Sequence, residues 1–333
     1  MRLNVALLGG GSWGTTVASL IAKNTSVKLW ARNPETCDEI NTQHTNSRYL
    51  GDAKLTESLE ATNSIEEAVN SADVLIVGIP SQNFRDVLEE ASKYIRPWVP
   101  IISLTKGIEL KSRKRMTEII SEVLPGHPVG VLTGPNLAKE IMAGQAAASV
   151  IAMEDPNICG EMQKLFKSGL FRVYTNNDVI GCELGGVLKN IIAIAVGMGD
   201  GKGAGDNTRS ALITRGLAEV TRLGVAMGGQ ETTFAGLTGM GDMIATCTSP
   251  QSRNRHVGME LGRGQSIDEI IEKMHMVAEG VKSAPAVMEL AEQYGVEMPI
   301  CTEVYRVITG EGSVNHAYRG LIRHNAGAED EPG

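Results

Sequence analysis

An excess of positive charge is the first thing this sequence lacks. Lys and Arg number 31 against 39 Asp and Glu, a formal net charge of -8. That leaves no basic surface for non-specific binding to nucleic acid or to an anionic membrane. A small anionic ligand stays open, since a few local Lys or Arg side chains can hold one. Cysteine is sparse too: Cys37, Cys159, Cys182, Cys247 and Cys301 form no C-x-x-C pair. An odd, scattered set reads as reduced thiols in a reducing compartment. The histidines, His44, His127, His256, His275, His316 and His324, show no ligand spacing, so no metal is expected. There is no run of roughly 18 consecutive apolar residues to suggest a membrane span. Met1-Arg-Leu-Asn-Val5 leads straight into a strand pattern with no secretory signal ahead of it. A cytoplasmic protein is therefore expected. Internal repeats and low-complexity tracts are missing as well.

What is present is a globular balance, 42% hydrophobic and 21% charged, with few aromatics and 38 glycines. A chain of 333 residues fits two domains of roughly 150 each. Short apolar runs alternate with amphipathic stretches through the first half: Leu3–Leu8, Val27–Trp30, Val74–Ile79, Pro100–Leu104, Gly130–Leu132, Ser149–Ala152 and Phe171–Tyr174. Several are nearly continuous in Val, Ile and Leu, as strands covered on both faces by helices are. That alternation predicts a mostly parallel α/β sheet. Beyond about residue 180 the strand signals stop. Gly186–Met198, Arg209–Met227, Ser266–Met276, Ser283–Tyr294 and Thr302–Thr309 read as helices. The expected organisation is an α/β domain over 1–179, an all-α domain over 180–326 and a frayed polar tail over 327–333.

Leu3–Leu8 runs into Gly9-Gly10-Gly11-Ser12-Trp13-Gly14 and then the helical stretch Thr15–Lys23. This is G-x-G-x-x-G in the strand-turn-helix context that a dinucleotide site requires. Gly9 permits the tight turn, Gly11 lets a pyrophosphate approach the backbone, and Gly14 lets the helix pack on the strand. The helix N-terminus favours the anion. The reading is thus a Rossmann-type N-terminal domain. After the second strand, Ala31-Arg32-Asn33 offers no acid until Glu35. An NAD site usually has an acid there for the ribose 2′-hydroxyl, whereas Arg32 can pair with a 2′-phosphate. NADPH is favoured on this ground, with NADH tolerated; the alternative is a solvated surface Arg. A second glycine-rich stretch, Gly197–Gly205, follows a helix and no strand, and reads as a mobile connection.

A ketone reductase needs a proton donor and charges that orient its substrate. Lys189 and Asn190 stand in Gly186-Val-Leu-Lys-Asn-Ile-Ile-Ala-Ile-Ala-Val196, where nearly every helical neighbour is apolar. Lys189 is either a buried, partnered amine or a side chain that snorkels to the surface. Asp242, between Gly239-Met-Gly241 and an apolar run, can pair with Lys189 or cap a helix, and capping is the commoner fate of an Asp after Gly. Gln251-Ser252-Arg253-Asn254-Arg255 suits a phosphate or diol, or is simply a polar loop. Lys106 follows the run Pro100–Leu104, at the carboxyl edge of the predicted sheet, where ligands bind in open α/β folds.

Taken in order, these blocks resemble the bacterial-type NAD(P)-dependent glycerol-3-phosphate dehydrogenases over essentially the whole chain. The match takes in Gly9–Thr15, Ser103–Gly107, Thr133-Gly-Pro-Asn-Leu-Ala-Lys-Glu140, Gly185–Asn190, Gly239–Thr246, Gln251–Arg255 and Val277-Ala-Glu-Gly280. The resemblance implies reduction of dihydroxyacetone phosphate to sn-glycerol 3-phosphate, a homodimer, and supply of phospholipid synthesis. It implies Lys189 as proton donor and acceptor, with Lys106, Asp242 and Asn190 shaping the pocket. Substrate contacts would come from Lys106, Gly134, Asn136, Asp242, Ser252, Arg253 and Asn254. Cofactor contacts would come from Ser12, Trp13, Arg32, Lys106, Ala138, Arg253, Val277 and Glu279. Two positions depart from the pattern: Trp13 replaces a smaller aromatic, and Asn136 stands where Ser or Thr is common. A dehydrogenase for a β-hydroxy or sugar acid would share the cofactor site and a helical Lys-Asn pair. A redox-sensing module that only binds NAD(P)H would have no use for that pair.

Overall fold

The computed structural model describes residues 3–274 and 278–317. The chain falls into two units. One takes in the residues up to Thr105 together with Arg115–Val179; the other takes in Lys106–Lys114 and the chain from Ile180 onward. Lys106–Lys114, expected within the N-terminal domain, therefore groups with the second unit. Residues 327–333, read as a tail, lie outside the described residues.

The first unit is built on eight strands, β1 (Asn4–Leu8), β2 (Ser26–Trp30), β3 (Leu59–Thr62), β4 (Val74–Val77), β5 (Ile101–Ser103), β6 (Val129–Thr133), β7 (Ala147–Met153) and β8 (Phe171–Asn176). Their order is β3-β2-β1-β4-β5-β6-β7-β8. From β3 to β6 every pair is parallel, in the doubly wound dinucleotide-binding order. β7 then runs antiparallel to β6 and parallel to β8. Both faces are covered, which explains the near-continuous apolar runs. Val5 and Leu7 of β1 point into one core, while Ala6 and Leu8 point into the other. β3 escaped the pattern reading because Leu59-Glu-Ala-Thr62 is a short edge strand with an exposed Glu. It needs no second apolar face.

The second unit is helical. Its axis is the helix Val179–Gly201, buried at every residue from Gly181 to Gly199. By length and composition this helix could cross a membrane, but 94% of its apolar window is buried inside the protein. A helix that is apolar all round belongs in a core. Helices Asp206–Ala226, Asp242–Thr248, Arg253–Gly262, Glu279–Gln293 and Pro299–Ile308 contribute to the same core.

Only the second half of the stretch Gly197–Gly205, residues 202–205, connects two helices; the first half is helical. Gly197, Gly199 and Gly201 are helical, and two of them meet glycines of the helix Arg253–Gly262. A Cβ on Gly201 would lie 2.8 Å from Gly262 Cα, and one on Gly258 would lie 2.9 Å from Gly197 Cα. Two four-residue glycine spacings, 197/201 and 258/262, thus bring the backbones into contact. Asp200 fastens the crossing, with Arg255 Nε at 2.7 Å on one carboxylate oxygen and Arg209 Nη2 at 2.8 Å on the other.

Candidate active site

The glycine turn after β1 has the geometry its spacing demands. Gly9 sits at φ 127°, where an L side chain is strained, and its N–H donates to the Trp30 carbonyl at 3.0 Å. A Cβ on Gly9 would collide with the Gly78 carbonyl, and one on Gly14 with the Gly9 carbonyl. Gly11 differs: a Cβ there meets nothing within 4 Å, so this side of the turn is open. Helix Ser12–Ala22 begins at once, and Gly11 provides its unsatisfied N-cap. An open glycine at a helix N-terminus fits the pyrophosphate of a dinucleotide.

Other predicted cofactor residues, and the predicted substrate residues Gly134 and Asn136, lie in the same unit. Ser12 opens the helix. Trp13 packs edge-on against Phe171, centroids 6.2 Å apart. Arg32 is exposed just past β2, where Asn33 caps the next helix by accepting from the Glu35 N–H at 2.9 Å. No carboxylate occupies the position just after Trp30. Ala138 starts a short helix, Ala138–Met142, that packs on the first one. Asn136 accepts a bond from the Ser149 hydroxyl, while its buried Nδ2 has no partner among the described residues. Gly134 sits at φ 131°, with a would-be Cβ 3.2 Å from Ser149 Cα.

In the second unit the charged residues converge. Lys189 is buried, 4% exposed, on the central helix, which rules out a snorkelling side chain. Its Nζ lies 3.2 Å from Asp242 Oδ1 and donates to the Thr246 hydroxyl. Lys106 Nζ lies 2.6 Å from Asp242 Oδ2. Asp242 therefore does not cap a helix through its side chain, the commoner fate expected of it. It begins the helix Asp242–Thr248 as a first-turn residue with its carboxylate turned inward between two amines. Thr246, one turn on, donates to Asp242 Oδ1 at 3.3 Å. The sequence reading missed Thr246; its i+4 spacing from Asp242 was the available signal.

Close backbone packing makes this meeting possible. A π-helical turn, Leu237–Gly241, precedes Asp242, and a Cβ on Gly185 would lie 2.7 Å from the Thr238 carbonyl. Gly185 is one turn before Lys189, and Thr238 is four residues before Asp242. The glycine contact therefore sets the separation of amine and carboxylate. Within the trio of Lys106, Asp242 and Lys189 the formal charges sum to +1. Burial pulls the Lys106 amine down to about 8, against the attraction of Asp242 and with the repulsion of Lys189.

A polar thread runs beside the trio. Asn190 Oδ1 accepts from Asn254 Nδ2 at 2.9 Å, and Asn254 Oδ1 accepts from the Gly280 N–H at 3.0 Å. Ser252 caps the helix Arg253–Gly262, accepting from the Arg255 N–H at 3.2 Å. Arg253 is exposed at the first position of that helix, within electrostatic range of Glu279. Val277 lies outside the described residues. Among the described residues no group of His, Cys, Asp and Glu could hold a metal ion.

A dinucleotide turn on a doubly wound sheet, with a helical unit that buries a lysine against an aspartate, defines a nicotinamide-dependent oxidoreductase. The comparisons narrow the class. Residues 4–159 match the N-terminal model of NAD-dependent glycerol-3-phosphate dehydrogenase, and residues 178–319 match the C-terminal model. The chain is 65% identical over 333 residues to glycerol-3-phosphate dehydrogenase (NAD(P)+) 2 of Sphingopyxis alaskensis, covering 100% of each. It is 54% identical over 326 residues to glycerol-3-phosphate dehydrogenase (NAD(P)+) of Mycobacterium avium, 98% of this chain and 96% of that one. The crystal structure of glycerol-3-phosphate dehydrogenase from Coxiella burnetii superposes with a TM-score of 0.93 at 34% identity, covering 97% and 99% of the two chains. The chain belongs to the NAD-dependent glycerol-3-phosphate dehydrogenase family.

Proposed function

We propose that the protein reduces dihydroxyacetone phosphate to sn-glycerol 3-phosphate with NAD(P)H, as a homodimer in the cytoplasm, and that it supplies glycerophospholipid synthesis. The observation that carries the reading is the meeting of buried Lys189 and Asp242 with half-buried Lys106 in a chain of this family. Reduced nicotinamide, when bound, would supply the hydride. Lys189 gives the proton to the nascent alkoxide, and Asp242, 3.2 Å from its Nζ, holds the amine in place. The trio's net positive charge stabilises negative charge as it grows on the carbonyl oxygen. Asn190 and Lys106 fix the carbonyl end of the substrate. Ser252, Arg253 and Asn254 bind its phosphate and hydroxyl groups, with Gly134 and Asn136 as further contacts. Gly9, Gly11, Ser12, Trp13, Gly14 and Ala138 take the dinucleotide, joined by Lys106, Arg253, Val277 and Glu279. Arg32 favours NADPH.

The test is the oxidation of NADPH, then of NADH, by the purified protein with dihydroxyacetone phosphate as the only other substrate. Rapid oxidation with either is the expected result, faster or at lower concentration with NADPH. A protein that binds cofactor but oxidises neither with this ketone would remove the substrate assignment.

A further inference from the structure

Asn46 has no part in the reading above, yet it is fully buried (0% exposed) beside the glycine turn. It lies between helix Pro34–Gln43 and the short helix Ser47–Leu50. That segment is firmly held. His44 closes the first of these helices at φ 52°, its N–H on the Ile40 carbonyl at 3.2 Å. Glu39 accepts from the Thr45 hydroxyl at 2.8 Å and from the Ser47 N–H at 2.7 Å. The Leu55 N–H donates to the His44 carbonyl at 2.8 Å.

From this platform Asn46 Nδ2 donates to the Gly10 carbonyl at 3.0 Å and to the Thr15 hydroxyl at 2.9 Å. One side chain thereby grips the turn and the first turn of the helix together. The Gly10–Gly11 peptide is trans and planar, so its N–H points opposite to its C=O. With the carbonyl drawn inward to Asn46, the Gly11 N–H must face the other way. The space beside Gly11 is open, a would-be Cβ there meeting nothing within 4 Å, and the Gly11 N–H has no partner among the described residues. The Gly11 carbonyl is already committed, accepting from the Thr15 N–H at 2.9 Å.

We infer that Asn46 is a positioning residue for the cofactor: it holds the Gly10–Gly11 peptide so that the Gly11 N–H is aimed at the pyrophosphate before the dinucleotide arrives. The inference rests on the reading that the glycine turn takes the pyrophosphate. Without the amide the peptide can rotate, and each binding event must restore its orientation.

The experiment measures dissociation constants of NADPH, NADH and adenosine 2′-phosphate, the last lacking a pyrophosphate, with kcat at saturating cofactor. Asn46→Ala is expected to weaken NADPH and NADH at least tenfold and equally. Asn46→Asp weakens them further, since a carboxylate cannot donate to the Gly10 carbonyl and repels the pyrophosphate. Adenosine 2′-phosphate affinity, kcat and the KM for the ketone stay within about threefold of the parent. Wild-type NADPH affinity in either folded variant overturns the inference, as does an equal loss for adenosine 2′-phosphate, which marks a merely structural role. Should neither variant fold, Thr15→Val decides: it frees one of the two amide contacts and is expected to weaken both dinucleotides alone. Gly11→Val separates the two levels. If it leaves NADPH binding intact, the reading of the turn fails; if it abolishes binding while the Asn46 variants do not, only the role of Asn46 falls.

Discussion

The two units use glycine for opposite ends. Around β1, Gly11 leaves an empty place beside a helix N-terminus, and the chemistry there belongs to the backbone. Along the central helix, Gly185, Gly197 and Gly201 remove distance instead, letting neighbouring backbones approach until buried side chains meet. The sheet unit can thus recognise a group common to all dinucleotides with main-chain N–H donors. The helical unit brings Lys106, Lys189 and Asp242 together, where we propose that the reaction takes place. A missing Cβ leaves open space in one case and permits side-chain convergence in the other.

The sharpest way to separate the units is Lys189→Ala. Turnover is expected to fall by about 10²–10⁴-fold, the usual worth of a general acid, while the NADPH dissociation constant stays within a few-fold. A variant that keeps more than about a tenth of the parent rate would take the proton-donor role away from Lys189. Next comes Gly258→Val, whose Cβ would press on the Met198 N–H from 2.8 Å and on Gly197 Cα from 2.9 Å. Overpacking of this kind costs about 1–3 kcal/mol. Thermal unfolding of the helical unit is expected to move down accordingly, with dinucleotide binding retained below the transition. Unchanged unfolding would mean the glycine crossing is slack.

The pH dependence bears on Lys106. Its amine, lowered by burial to about 8, loses its charge as pH rises through that value. The kcat/KM for dihydroxyacetone phosphate is therefore expected to fall above about pH 8, and Lys106→Met should lower it throughout and remove that inflection. The same shift has a stability consequence of definite sign. Between about 8 and the ordinary value of 10.5, the unfolded chain holds this proton and the folded chain does not. Lys106 by itself therefore makes stability rise with pH across that window. The smallest effect is that of Arg32→Ala. An exposed cation facing a 2′-phosphate is expected to contribute about tenfold or less, read as a loss of NADPH affinity with NADH unaffected. Equal loss for both would assign Arg32 another role.

How far the sequence disclosed all this follows from the range of the forces involved. β1 and β4 were legible because both faces of each are apolar, and Gly9, Gly11 and Gly14 because a turn is local. The apolar setting of Lys189 was legible from its helical neighbours. β3 was not, since an edge strand with one covered face carries half the signal. The partner of Asp242 is likewise decided by tertiary contact: the same Gly-Asp pair that favours a cap locally meets two amines from elsewhere in the chain. The helical half of Gly197–Gly205 escaped for a related reason. Glycine density is identical for a loose connection and for a tight helix crossing, and only the opposing Gly258 and Gly262 distinguish them. Asn46 gave no sign, because the partners of its side chain, Gly10 and Thr15, are far from it in the chain.

The excursion of Lys106–Lys114 into the helical unit has a consequence for biosynthesis. Neither unit is a single length of chain. As the polypeptide leaves the ribosome, nine residues from the middle of the sheet-forming sequence must wait for the chain beyond Ile180 before their own unit can close. A fragment beginning at residue 180 would lack Lys106 and a wall segment of its core, Ile108 included. The family's two halves, separate as sequence models, are one folding problem.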